Sequence, residues 1–111
     1  MSGEEFTATV SRKPKGSVVA LTGTVDKNAK EAMEAAYGEA AQGDGEIILD
    51  FDYVDYINST GIAVIVGILA MARAEGQKVA AVGLNDHYRE VFRITRLSDF
   101  MHIYEETPTG G

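Results

Sequence analysis

Three groups of residues in this chain have types and spacings that could do chemistry. The first is Ser59-Thr60-Gly61, in the stretch "DFDYVDYINSTGIAVIVGILAMARAEG" that runs from Asp50 to Gly76. A serine where a helix begins can accept a hydrogen bond from an unpaired amide of the first turn, a cap worth about 1 kcal/mol. The same place favours added negative charge, so a phosphate on Ser59 would also be tolerated by the fold. The residue pattern by itself leaves both readings open.

The second group is Asp50, Asp52 and Asp55, which could suggest a Mg2+ site or a phospho-acceptor aspartate of the response-regulator receiver kind. A receiver needs an acidic pair after its first strand and a lysine after its last. Here the first strand runs into "SRKPKG" and the last into Glu105 and Glu106. A solvated loop accounts better for the cluster. The third group, His87 and His102, falls in separate elements of a chain without cysteine, so no metal site is expected and both read as surface or packing residues. No Ser, His and Asp spacing suggests an activated nucleophile, and no glycine-rich phosphate loop is present. Neither enzymatic activity nor a cofactor is expected.

These residues must be positioned by a small fold. At 111 residues and 45% hydrophobic content, the chain suits one compact domain with a single core. A formal charge of -7 argues against direct binding of nucleic acid or anionic membranes and favours a basic partner. "MSGEEFTATV" lacks a basic region followed by an apolar stretch, so no signal peptide is expected and the location expected is cytoplasmic. The apolar run from Gly61 to Ala72 falls short of the roughly 18 to 20 residues that span a bilayer, so no membrane insertion is expected.

"EFTATV", with Phe6, Ala8 and Val10 on one face, and "SVVALTG", beyond the turn at Pro14 and Gly16, predict an N-terminal hairpin. A helix follows, capped by Asp26 and striped with Ala29, Met33, Ala36, Tyr37 and Ala40, and it ends at Gly43 and Gly45. "EIILDF" reads as a strand buried on both faces and ending at Asp50. "DYVDYIN" is then a loop pinned by Val54 and Ile57, Ser59 caps a helix closed by Gly76, and "QKVAAVG" is a second buried strand. "NDHYREVFRITRL" predicts a third helix, with Asp86 as cap and Val91, Phe92 and Leu97 as core. A final strand, "MHIYEE", leads to a tail, 107–111, expected to be disordered. The fold class is therefore α/β, a mixed sheet with a parallel core and about three main helices.

The second helix is apolar nearly all round. Ile62, Val64, Ile65, Val66, Ile68, Leu69 and Met71 exceed what one sheet face can take, so either neighbouring helices enclose them or a strip beside Ser59 is a docking surface. Tyr53, Tyr56 and Tyr88 read as packing residues by default, with Tyr56, close before the serine, the best candidate for an interface.

The stretch "LDFDYVDYINSTGIAVIVGILAMARAEGQKVAAVGLNDHYREVFRITRL" resembles the core of the STAS domain family, in particular its small stand-alone anti-sigma factor antagonists. That family shows a strand ending in Asp, an aromatic or apolar loop, Asp-Ser-Ser-Gly or Asp-Ser-Thr-Gly, an apolar helix, a Gly, a strand, and a helix ending near Thr-Gly-Leu. The upstream "LTGTVD" is similar to the family's second strand and its following Asp. The resemblance implies a STAS domain over residues 1–106 with Ser59 as phosphorylation site and Asp26, Asn58, Thr60 and Gly61 around it. Tyr56, Ile62, Ile65 and Val66 are the expected docking residues. It further implies a partner anti-sigma factor with serine kinase activity, a sigma factor freed when the unmodified form binds that partner, and a serine phosphatase that resets the cycle. Two positions depart from the family pattern: Asn58 stands where Asp is usual, and Arg96 where Gly is common. The rival readings are a non-switching STAS scaffold in a signalling or lipid-transport assembly, and a receiver-like or small-molecule-binding α/β domain.

Overall fold

The computed structural model describes residues 5–104. The expected tail, 107–111, and the last two residues of the expected final strand lie outside the described residues. The hairpin forms as read, with β1 (Thr7–Lys13) antiparallel to β2 (Gly16–Val25). Chain order then gives a 3-10 turn (Lys27–Ala29), α1 (Lys30–Ala40), β3 (Glu46–Ile57), α2 (Ser59–Ala74), β4 (Val79–Val82), α3 (Asp86–Ile94), a second 3-10 turn (Leu97–Asp99) and β5 (His102–Ile103). The five strands lie side by side in sequence order, and β2 through β5 run parallel. The ends of β2 and β3 therefore deliver their following segments to one end of the sheet.

Alternation along the strands divides the apolar residues between two faces. Val19, Leu21, Ile47, Leu49, Phe51, Val79 and Ala81 join the helices in the main core. Ile48, Ala80 and Val82 form a smaller cluster on the other face with Val18 and Tyr104. The expected stripe is buried at each position, Ala29 at the end of the 3-10 turn and Met33, Ala36, Tyr37 and Ala40 in α1. Phe92 and Leu97 are also buried, Phe92 meeting Phe51 edge-on with ring centroids 5.7 Å apart. No helix among the described residues is long and apolar enough to cross a membrane.

The structure corrects the reading of several elements. First, β3 does not end at Asp50 but runs on through Ile57, so "DYVDYI" is strand and not loop. Two bulges explain why it was disguised. Asp50 and Tyr53 pair with Ala20 and Thr22, and Val54 and Tyr56 pair with Gly23 and Thr24, so β3 carries an extra residue at each step. Its inward residues Phe51, Val54 and Ile57 thereby fall three apart, a spacing that does not fit the period of two of a regular strand. At the first bulge the Asp52 backbone N–H donates to Asp50 Oδ1 at 3.0 Å, which satisfies a group taken out of the ladder.

Second, α3 is capped by Asn85, whose side chain accepts from the Tyr88 N–H, and Asp86 is its first helical residue. Third, the last strand is only His102–Ile103. Fourth, Tyr53 is not a packing residue, being 71% exposed.

Candidate functional site

The start of α2 is built at the shared end of β2 and β3. Asn58 has extended backbone angles (φ -97, ψ -176), and its Oδ1 accepts from the Gly61 N–H at 2.8 Å. Asn58 is thus the cap, and Ser59 is the first helical residue. The reading of Ser59 as the cap is corrected: an Asn one position earlier has the oxygen and the extended backbone that capping requires. Ser59 is exposed, and among the described residues its hydroxyl makes no hydrogen bond.

Thr60 behaves differently. Its Oγ1 donates to Asn58 Oδ1 at 2.8 Å and accepts the Lys27 backbone N–H at 3.1 Å. The Asn58 N–H donates to the Val25 carbonyl at 3.3 Å. These bonds fasten the turn after β2, which contains Asp26, to the first turn of α2. The reading of Asp26 as the cap of α1 is corrected: Asp26 caps the preceding 3-10 turn, its Oδ1 accepting the Asn28 N–H at 2.9 Å, and α1 continues from Ala29 without a side-chain cap.

Gly61 has a steric reason to be glycine. A Cβ there would lie 1.9 Å from the Val25 carbonyl oxygen, so only a residue without a side chain lets α2 approach the end of β2 this closely. The Ser-Thr-Gly triplet thus contains an open hydroxyl, a hydroxyl engaged in a clamp and a close-approach glycine.

α3 braces the same end. The Tyr88 hydroxyl accepts the buried Ile57 N–H at 3.0 Å, just ahead of the cap. A cavity of about 90 Å3 lies beside it, lined by Phe51, Asp52, Ile57, Leu84 and Tyr88 among others. The sequence offered no signal for this bond, since the spacing of 31 positions is set only by folding.

The first turn of α2 contains no acidic side chain, so nothing on the helix itself neutralises its positive end. Burial pushes the Asp50 carboxyl above its ordinary value, a shift that the hydrogen bond from the Asp52 N–H opposes. Asp50, Asp52 and Asp55 lie on β3 and not in a loop, and among the described residues no three His, Cys, Asp or Glu side chains are grouped as metal ligands.

Of the expected docking residues, Tyr56 and Val66 are 55% and 47% exposed, and Ile62 is partly buried against the core. Ile65 is corrected. It is fully buried, with Val64, Ile68 and Leu69, because the sheet and flanking helices take one whole side of α2. The outward side is mostly small: Ala63, Val66, Gly67 and Ala70.

With this geometry in place, similarity to known proteins becomes informative. A family model described as "Mlab, STAS domain" matches residues 8–103. The chain belongs to the STAS domain family. It is 32% identical over 65 residues to the anti-sigma-B factor antagonist of Staphylococcus aureus, a match spanning 59% of this chain and 60% of that one. It is 30% identical over 88 residues to BtrV of Bordetella bronchiseptica, covering 78% of this chain and 73% of that protein. The fold is also that of the anti-sigma factor antagonist SpoIIAA. The unphosphorylated form gives a TM-score of 0.68 at 20% identity, covering 95% and 92% of the two chains. The phosphorylated form of the Bacillus protein gives 0.64 at 23% identity, covering 92% and 93%. This STAS domain is therefore a mixed five-stranded sheet with three helices, in a family whose sequence relatives include an anti-sigma factor antagonist.

Proposed function

We propose that this STAS domain is an anti-sigma factor antagonist switched by phosphorylation of Ser59. In this reading the unmodified form binds an anti-sigma factor with serine kinase activity and so releases a sigma factor. Phosphate on Ser59 ends that binding, and a serine phosphatase restores it. The domain acts as a cytoplasmic binding switch in transcription control and performs no catalysis itself.

The observation that carries the proposal is the difference between two adjacent hydroxyls. Ser59 is exposed at the positive end of α2 and takes part in no hydrogen bond among the described residues, whereas the Thr60 hydroxyl both donates and accepts. Of the two, Ser59 can receive phosphate without breaking a bond of the fold. Tyr56, Ile62 and Val66 supply apolar surface on the strand end and helix nearby, and the Asp26 turn is fastened to the same helix start. Adding about 1.5 to 2 negative charges there raises the desolvation cost of burying this face against a partner. The likeness to SpoIIAA, solved in both forms, supports a fold that accommodates the modified state.

The test is recovery of bound proteins from cell extract, followed by mass-spectrometric mapping of phosphate on the chain. The partner so recovered is then measured against two variants. Ser59→Ala should bind it in the presence of kinase and ATP, and Ser59→Asp should lose affinity while staying folded. If Ser59→Asp binds as tightly as the parent and no phosphate is found on Ser59, the switch is wrong. A non-switching STAS scaffold is the second reading, favoured by the neutral Asn58 where the family usually has an acid, and that result would select it.

A further inference from the structure

The residue beside the switch serine is neutral, and its geometry shows what that neutrality does. Asn58 Oδ1 accepts from two donors, the Gly61 N–H and the Thr60 hydroxyl, each at 2.8 Å. With the oxygen turned onto the helix, the Nδ2 amino group occupies the other side of the amide plane and contributes donors, not charge. Among the described residues it donates no hydrogen bond. The first helical turn adds no acidic side chain.

We propose that Asn58 sets the electrostatic cost of the phosphorylated state, a role that rests on Ser59 being the modified residue. An aspartate has the same shape and would cap with the same oxygen, but it would place a full negative charge one residue from a group bearing about two. Like charges at such separations disfavour the doubly charged state by roughly three- to tenfold even with strong solvent screening. With Asn58 the cap and first turn of α2 carry no charge of their own before modification, so their remaining unpaired amides and dipole face the phosphate without a competing carboxylate on the helix. The modified domain then keeps its stability, so the switch changes what the surface binds without loosening the fold.

The experiment needs neither kinase nor partner. Urea unfolding is measured for the parent, Asn58→Asp, Ser59→Asp and the double variant, in 10 mM and in 1 M salt. Alone and at low salt, Asn58→Asp should raise the folding constant by about two- to fivefold, because a carboxylate complements the helix start. In the Ser59→Asp background the same change should raise it less, or lower it, a coupling of roughly threefold or more that collapses in 1 M salt. Equal effects in the two backgrounds would overturn the proposal. Asn58→Ser, which keeps a capping oxygen but adds no charge, should show little coupling; a coupling as large as that of Asn58→Asp would assign the effect to the lost amide and also overturn it. Failure here leaves phosphate mapping on Ser59 unaffected, and failure of that mapping leaves this coupling measurable, so the two ideas fall separately.

Discussion

Lys27 and Thr60, 33 positions apart, are joined by a 3.1 Å hydrogen bond from the Lys27 backbone N–H to the Thr60 Oγ1. Because the same hydroxyl donates to the cap residue Asn58, one side chain holds two strand-end segments together. Thr60→Val keeps the branched shape and removes both bonds, leaving the Lys27 N–H without its side-chain acceptor. The expected loss is about 1 to 2 kcal/mol in chemical denaturation. Thr60→Ser should retain most of the stability.

Gly61 predicts a larger penalty from a smaller change. In Gly61→Ala the added methyl would meet the Val25 carbonyl oxygen at 1.9 Å, and that oxygen belongs to backbone that cannot rotate aside. Helix α2 must shift, at a cost of about 3 kcal/mol. Gly67, whose added Cβ would meet nothing within 4 Å, is the control. Gly67→Ala in the same helix should be neutral or stabilising by up to about 1 kcal/mol. Thermal melts of the two variants should therefore move apart.

Arg96 is held in the left-handed region, at φ 69 and ψ 13. For a residue with a Cβ this conformation costs roughly 1 kcal/mol that glycine escapes. The exposed ion pair of Arg96 with Asp99, at 2.7 Å, offsets only part of that. Arg96→Gly should raise stability by about 0.5 to 1 kcal/mol, and Arg96→Val, β-branched, should lower it. A fall in stability for Arg96→Gly would show that the ion pair outweighs the strain.

Tyr37 links the end of α1 to the end of α2, its buried ring placing the hydroxyl 2.6 Å from Glu75 Oε1, to which it donates. Burial first, and Glu75 second, push its pKa from 10.0 up to about 12. Because the folded value lies above the unfolded one, this contribution to stability is complete below pH 10 and is lost as pH rises from 10 to 12. Tyr37→Phe should cost about 1 kcal/mol at neutral pH and flatten the alkaline limb of the stability profile across that window. An unchanged alkaline limb would deny the bond its part in holding the helices.

What the sequence determined was what local pattern can carry. The stripe Ala29, Met33, Ala36, Tyr37 and Ala40 has the helical period, and each member is buried. The runs through Ile47–Leu49 and Val79–Val82 are apolar at consecutive positions, and both are buried in neighbouring parallel strands. Ser-Thr-Gly at the head of α2 marked the helix start to within one residue. Tertiary structure decided what depends on a partner far along the chain. β3 is twelve residues long only because β2 supplies a backbone ladder, and the bulges that fit the two together turn a period of two into a spacing of three. Ile65 and Val66 are equally apolar in sequence, yet one is buried and the other exposed, since burial depends on which side of α2 meets the sheet. Thr60 differs from Ser59 for the same reason: only folding brings Lys27 to one hydroxyl and leaves the other open to solvent.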